Sequence, residues 1–311
     1  MIGRITRFGV IGSSASDPVT SLLYAWFGGG YFAMSTVERI KFSSDTATAT
    51  ARGPLSSSRG STIATGNTTD AWFGGGTPSA GPSGVIVDRI IFLSDSATAV
   101  AKGPLSESRD GAAATGNTTD GWFAGGRLAP QNHVTCRVDR IIFASDTATA
   151  VARGSMSTHK YLEAATGNTT DGWYGAGFGG VPHSTRSFVE RVIFSSDMST
   201  AVTKGPLSEA RYALAAHGNT TDRWYGGGHG TISTVDRIIF ASDTATAVVK
   251  GPLISGRGYL AAGGNTTDAW FGGGPFGGPG VTVDRVIFSS DTATAVAKGP
   301  LSVGRYGLAA N

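Results

Sequence analysis

The side chains that could do chemistry come in repeated sets. An acid and an arginine stand side by side at Glu38-Arg39, Asp88-Arg89, Asp139-Arg140, Glu190-Arg191, Asp236-Arg237 and Asp284-Arg285. A carboxylate beside a guanidinium could hold an anion or a substrate. Neighbours along a strand point to opposite faces, so the two members cannot bond each other. If the repeats pack face to face, the arginine of one can reach an acid of the next as a bidentate pair. Six copies suit such a structural ring between repeats, because catalysis seldom needs one group six times.

A second set is the Ser-Asp step at Asp45, Asp95, Asp146, Asp197, Asp243 and Asp291. Each supplies one carboxylate, whereas Ca²⁺ needs several converging oxygens; turn capping is the reading. Asn-Thr-Thr at Asn67, Asn117, Asn168, Asn219 and Asn265 matches a glycosylation acceptor. Met1 to Gly12 carries an apolar run too short for a signal peptide, so an asparagine turn is the reading there. The histidines, His133, His159, His183, His217 and His229, show no metal-ligand spacing. There is no Ser-His-Asp order, phosphate loop or paired-carboxylate site. The residues nominate no enzyme, cofactor or metal.

These groups sit at fixed places in a repeat of about 50 residues. Its marker is Gly264-Asn265-Thr266-Thr267-Asp268-Ala269-Trp270-Phe271-Gly272-Gly273-Gly274. Versions recur around Trp72, Trp122, Trp173 and Trp224, and around Trp26 without the Asn-Thr-Thr lead-in. Units begin near Leu22, Thr68, Thr118, Thr169, Thr220 and Thr266 and occupy 22–311; residues 1–21 are an N-terminal arm outside them. The arm reads as a strand, a cap or a docking arm.

Within the first unit, Tyr24 to Gly30 reads as a strand covered on both faces, since Trp26 and Phe27 point opposite ways. Val37 to Phe42 reads as a second strand, Thr46 to Ala51 as a third, and Ser58 through Thr65 as a fourth. Four strands with turn signals and no helical period predict one twisted antiparallel sheet per unit. Six in series predict an all-β, six-bladed β-propeller. Asn311 stops where the next Thr-Thr-Asp strand would begin, so the 306–310 strand is expected to close the ring by pairing with the first blade. The segment Arg7 to Ile11 weakly echoes it and is the rival for that place.

The chain has 311 residues, 47 glycines, a net charge of +3 and 15 % charged residues. The basic residues recur singly instead of clustering, which argues against nucleic acid as a partner. No apolar run approaches a membrane span. A single cysteine, Cys136, excludes an internal disulfide framework.

Aromatic-aromatic-Gly-Gly, then Val-Asp-Arg-Ile-Ile-Phe, then Gly-Pro-Leu-Ser-x-x-Arg-x-x-Leu-Ala-Ala is similar to the kelch repeat in all six units. The departure is the third strand, Thr-Ala-Thr-Ala-Val-Ala-Lys, which lacks the usual aromatic. The Gly-rich Ser-Asp-Thr-Ala-Thr form more loosely resembles repeat proteins encoded by marine bacteriophages. That resemblance implies a virion location, as a tail or tail-fibre component, possible oligomers within an assembly, and other virion proteins or a host-surface receptor or glycan as partners.

Length variation points to a face. From the Phe closing the second strand to the next Trp is always 30 residues, as from Phe42 to Trp72. Variation falls in the loops 31–36, 77–86, 127–137, 178–188, 229–234 and 275–282. In an up-down sheet these emerge on one side, and such loops carry function on a rigid scaffold. They hold Tyr31, Phe32, Arg127, His133, Phe178, His183, Arg186, His229 and Phe276, residue types that anchor interfaces. The expectation is non-catalytic recognition through this face. A glycan-binding, lectin-like module is one alternative and a propeller hydrolase or oxidase another. The Ala-, Leu-, Gly- and Thr-rich fourth strands argue against the last.

Overall fold

The computed structural model describes residues 21–31, 34–78, 84–128, 133–179, 184–274 and 280–311. Residues 1–20 of the arm, with its rival strand, and the loop residues Phe32, His183 and Phe276 lie outside the described residues.

The protein is all-β. Its described residues form six four-stranded antiparallel sheets, with three small ladders between loops. The second sheet shows the pattern. A small-residue strand, Ile63–Gly66, pairs with the Trp strand, Asp70–Gly74. That strand pairs with the Arg strand, Val87–Ile91, which pairs with a short edge strand, Val100–Ala101. The register sets Trp72 opposite Arg89 and Phe73 opposite Asp88. The first sheet takes its small-residue strand from the other end of the chain. Ala309–Ala310 pairs with Tyr24–Gly28, with Phe27 opposite Ala310 and Gly28 opposite Ala309.

Period-two alternation explains the packing. Trp and the following aromatic leave opposite faces of one strand, so every sheet needs a partner on each side. Trp72 joins one cluster with Phe123 and Phe143 of the third sheet, while Phe73 joins another with Trp26 of the first. The sixth and first sheets share a cluster in the same way, through Trp270, Val283, Phe27 and Ile40. Each indole stacks on the Phe that closes the next Arg strand. Trp122 lies 3.7 Å and 4° from Phe194, and Trp270 lies 4.1 Å and 15° from Phe42. Burying one indole removes about 200 Å² from water, on the order of 5 kcal/mol of transfer free energy.

The Asn-Thr-Thr segments are Asx turns. The side-chain oxygen of Asn67 accepts from the amides of Thr69 and Asp70, both at 2.9 Å, which satisfies two backbone donors at the start of the Trp strand. The edge strands are shorter than the Thr/Ala pattern suggests. In the first sheet Thr50–Arg52 is the edge strand. The residues before it turn instead, after a 3₁₀ segment at Phe42–Ser44, with the Ala47 amide donating to the Ser44 carbonyl at 3.1 Å.

The fourth strand is also divided. Arg59–Gly60 pairs with Thr77–Pro78 in the loop layer, and Ile63–Gly66 belongs to the sheet. Between them stands a left-handed residue, repeated at Ser61 (φ 51°), Gly111, Leu162 (54°), Ala213 (58°), Tyr259 (57°) and Gly307. A side chain there costs about 1 kcal/mol, and hydrogen bonds over-determine the conformation. Their amides form a cycle. Ser61 donates to Gly307 O, Gly307 to Tyr259 O, Tyr259 to Ala213 O, Ala213 to Leu162 O, Leu162 to Gly111 O, and Gly111 back to Ser61 O. These bonds measure 2.6–3.3 Å.

Candidate functional site

The repeated charged groups hold neighbouring sheets together and hold loops to their own sheet. Each Ser-Asp carboxylate receives three groups from the preceding sheet. Asp146 accepts from the Trp72 indole at 2.9 Å and pairs with Arg89 at 3.5 Å and Lys102 at 3.2 Å. Asp95 takes Trp26, Arg39 and Arg52, and Asp197 takes Trp122, Arg140 and Arg153. Asp243 takes Trp173, Arg191 and Lys204, and Asp291 takes Trp224, Arg237 and Lys250. Asp45 takes Trp270, Arg285 and Lys298. The expectation that these carboxylates cap their own turns is therefore corrected: a buried carboxylate is better satisfied by cationic and indole donors than by one local amide.

The arginines of the Val-acid-Arg motif reach this neighbouring aspartate, and five also bridge back to their own sheet, two of them closely, Arg89 to Asp70 at 2.9 Å and Arg237 to Asp222 at 2.9 Å. One guanidinium thus spans two carboxylates instead of gripping one in a bidentate pair; Arg140, Arg191 and Arg285 do so at longer range. The acids of that motif do not enter the inter-sheet set. Asp88, Asp139, Asp236, Asp284 and Glu38 each meet a buried loop arginine of their own sheet, Arg59, Arg109, Arg211, Arg257 and Arg305, at 2.7–3.1 Å. Arg59 also donates to the carbonyls of Phe73, Gly75 and Ile86. It ties the loop layer to the sheet ends.

The fourth sheet breaks this rule. Lys160 replaces the arginine and meets Glu190 and Glu163, both at 2.9 Å. Glu163 stands where the other units carry Thr62, Ala112, Leu214, Leu260 and Leu308. Burial pushes its carboxyl up to about 7, against the pull of Lys160. The fifth sheet has its own exceptions. Arg223, fully buried, lies 4.0 Å from the Phe240 ring centre, and burial lowers its pKa to about 9. His217 is pushed down to about 4 by burial.

On the loop face the predicted residues separate. Tyr31 stacks on Tyr306 at 4.9 Å and 22° and meets Tyr259 edge-on at 6.4 Å. His229 stacks on Tyr212 at 4.6 Å and 16° and meets Tyr259 edge-on. Phe178 lies edge-on to both Tyr212 and Tyr161. Arg127 stands over Tyr161 at 5.7 Å and pairs with Asp110 at 3.1 Å. Tyr31, Arg127, Phe178 and His229 therefore belong to one arc. His133 is exposed on the hairpin that pairs with Arg127–Leu128. Arg186 lies against Gly179 and 6.0 Å from the Phe188 ring.

Tyr161, Tyr212, Tyr259 and Tyr306 were not singled out by sequence, because they fall in a segment read as strand. One signal was available. The position after the loop basic residue reads Gly60, Asp110, Tyr161, Tyr212, Gly258 and Tyr306, and the next reads Ser61, Gly111, Leu162, Ala213, Tyr259 and Gly307; both vary within an otherwise regular repeat, and between them they hold the four tyrosines. Burial pushes the Tyr259 hydroxyl up to about 12, and those of Tyr212 and Tyr306 up as well. All three are protonated donors at neutral pH.

The six small-residue strands border one cavity of about 120 Å³. Ala64, Ala114, Ala165, Ala216, Ala262 and Ala310 occupy equivalent places along it. Ser61, Thr62, Glu163 and Tyr259 are polar members of its lining, and Glu163 is the carboxylate among them. Among the described residues no group of three or more His, Cys, Asp or Glu could hold a metal, and no helix is long and apolar enough to cross a membrane. No family model matches the chain, and no curated protein matches it.

Proposed function

We propose that the six sheets are the blades of one closed β-propeller of kelch-like type, spanning 22–311, and that it is a non-catalytic recognition module. Three observations support closure: the cycle of six amide bonds, the pairing of Ala309–Ala310 with Tyr24–Gly28, and the Trp270–Asp45 bond. The recognition reading rests on the aromatic arc, where residues from the length-variable loops meet tyrosines from the constant part of the repeat. Clustered Tyr and Arg side chains are typical anchors of a binding surface.

The setting we propose is a bacteriophage particle, as a tail or tail-fibre component whose arc face meets a host surface and whose 1–21 arm meets other virion proteins. A cryo-EM map of the protein in the assembly from which it is purified tests both parts. A six-bladed disc mounted with the arc outward is expected. An open row of sheets overturns the propeller, and a free monomer overturns the particle setting.

A further inference from the structure

We propose that the aromatic arc binds a neutral saccharide, one pyranose ring at a time, at the mouth formed by the amide cycle. This inference rests on the recognition reading and names its ligand. Four features of the mouth lead to it.

The first is the concentration of rings on one side. The arc takes Tyr161, Tyr212 and Tyr306 from one place in the fourth, fifth and first sheets and Tyr259 from the next residue in the sixth, while the second and third sheets carry Gly60-Ser61 and Asp110-Gly111 at these two places. Six near-identical units would give a symmetric mouth; the substitutions give it an aromatic side and a polar side. A pyranose has the same division, with axial C–H groups on a face and hydroxyls around the edge. Burying the C–H face on a ring is favourable, and the tyrosine hydroxyls supply the polar contact that buried aromatic donors require.

The second is charge. Arg127 and Asp110 pair with each other, and Thr77 donates to the same Asp110 oxygen at 2.9 Å. The phenols of Tyr212, Tyr259 and Tyr306 stay protonated. The mouth thus offers dipoles and one internally neutralised ion pair, which suits a polyol better than a free anion or cation.

The third is pre-organisation. Tyr31 is held on Tyr306 by its ring stack and by a 2.8 Å bond from its amide to the Tyr306 carbonyl. His229 is held on Tyr212 by the same two contacts, with its amide bond also 2.8 Å. Rings fixed before binding lose little entropy when a ligand arrives.

The fourth is position. The six residues of the amide cycle are part of the lining of the cavity of about 120 Å³, and Tyr31 of the arc packs against Gly307 of that cycle. The arc therefore borders the cavity, and a ring bound on it lies at the mouth.

The test uses the full chain and saturation-transfer NMR. The probes are the methyl glycosides of glucose, galactose, mannose and N-acetylglucosamine, with tetramethylammonium and inorganic phosphate as charged probes. The expected result is transfer from aromatic protons to the C–H protons of at least one glycoside. Tyr212→Ala and His229→Ala should each weaken that binding about tenfold or more with unchanged near-UV circular dichroism. Tyr212→Phe, which keeps the ring, should weaken it less. The inference is overturned if no glycoside binds, if both alanine variants bind as well as the parent, or if a charged probe binds in preference. Failure here with an arc-outward disc on the particle leaves the recognition reading standing. Glycoside binding by a free monomer keeps this inference and removes the particle setting.

Discussion

The indole nitrogen of Trp270 donates a 2.9 Å hydrogen bond to the carboxylate of Asp45, 225 residues away along the chain. The same bond joins Trp224 to Asp291 at 2.9 Å between sheets adjacent in sequence. If the sixth and first sheets meet as other neighbours do, removing either carboxylate should cost the same. Asp45→Ala and Asp291→Ala each strand one indole and two cations, a loss of about 3–5 kcal/mol for a buried pair. Urea unfolding of both variants measures it. A much smaller cost for Asp45→Ala would mean that the ring is open at that joint.

Ala213 occupies a left-handed position at φ 58° that Gly111 and Gly307 fill in other units. Ala213→Gly should relieve about 1 kcal/mol of backbone strain, less the extra freedom gained by the unfolded chain. The expected outcome is a small rise in Tm by calorimetry. A fall would mean that the Ala213 methyl makes packing contacts worth more than the strain.

Glu163 gives the protein a pH dependence near neutrality. Its folded pKa, about 7, is above the ordinary carboxylate value of 4.5. The folded state therefore binds more protons than the unfolded state between these values, and stability falls as pH rises through that window. Lys160, Glu190 and the Gly125 backbone face this carboxylate. The double variant Lys160→Arg with Glu163→Leu restores the pattern of the sixth sheet. Its stability should be flatter between pH 5 and 8 and higher at pH 8, by a few kcal/mol, as read from denaturant midpoints. An unchanged slope would place the titration elsewhere.

His217 acts at the other end of the scale. Burial lowers its pKa from 6.5 to about 4, so the unfolded state takes up a proton that the folded state refuses. Stability is complete above about 6.5 and declines as pH falls toward 4. His217→Thr copies Thr166 of the preceding unit and should flatten that acid limb in a Tm-against-pH series. Retention of the full slope would mean that His217 does not set it.

The repeat made much of the architecture readable. Alternation of Trp26 with Phe27 requires a covered strand on both faces, and the Asn-Thr-Thr turns follow from the chemistry of one side chain and two amides. Both are local in the chain, so spacing alone reveals them. The loop face was legible as a region, because length varies there and nowhere else. Its arc was only half legible. Tyr31, Arg127, Phe178 and His229 lie in the variable loops, but Tyr161, Tyr212 and Tyr306 stand in what reads as strand until the left-handed residue after each lifts them into the loop layer, and Tyr259 is itself the left-handed residue of its unit.

By itself, then, the sequence determined the unit: its strand count, its turns, its buried aromatics and the side on which variation is allowed. Only the tertiary structure decided the partners. Asp88 meets Arg59 within its own sheet, while Asp95, a few residues further on, meets Trp26, Arg39 and Arg52 of the sheet before. A repeated sequence offers every acid the same kinds of base many times over. Which base it takes depends on how the sheets stagger as they pack, and that stagger is set by indole-on-phenyl contacts between residues about 70 positions apart.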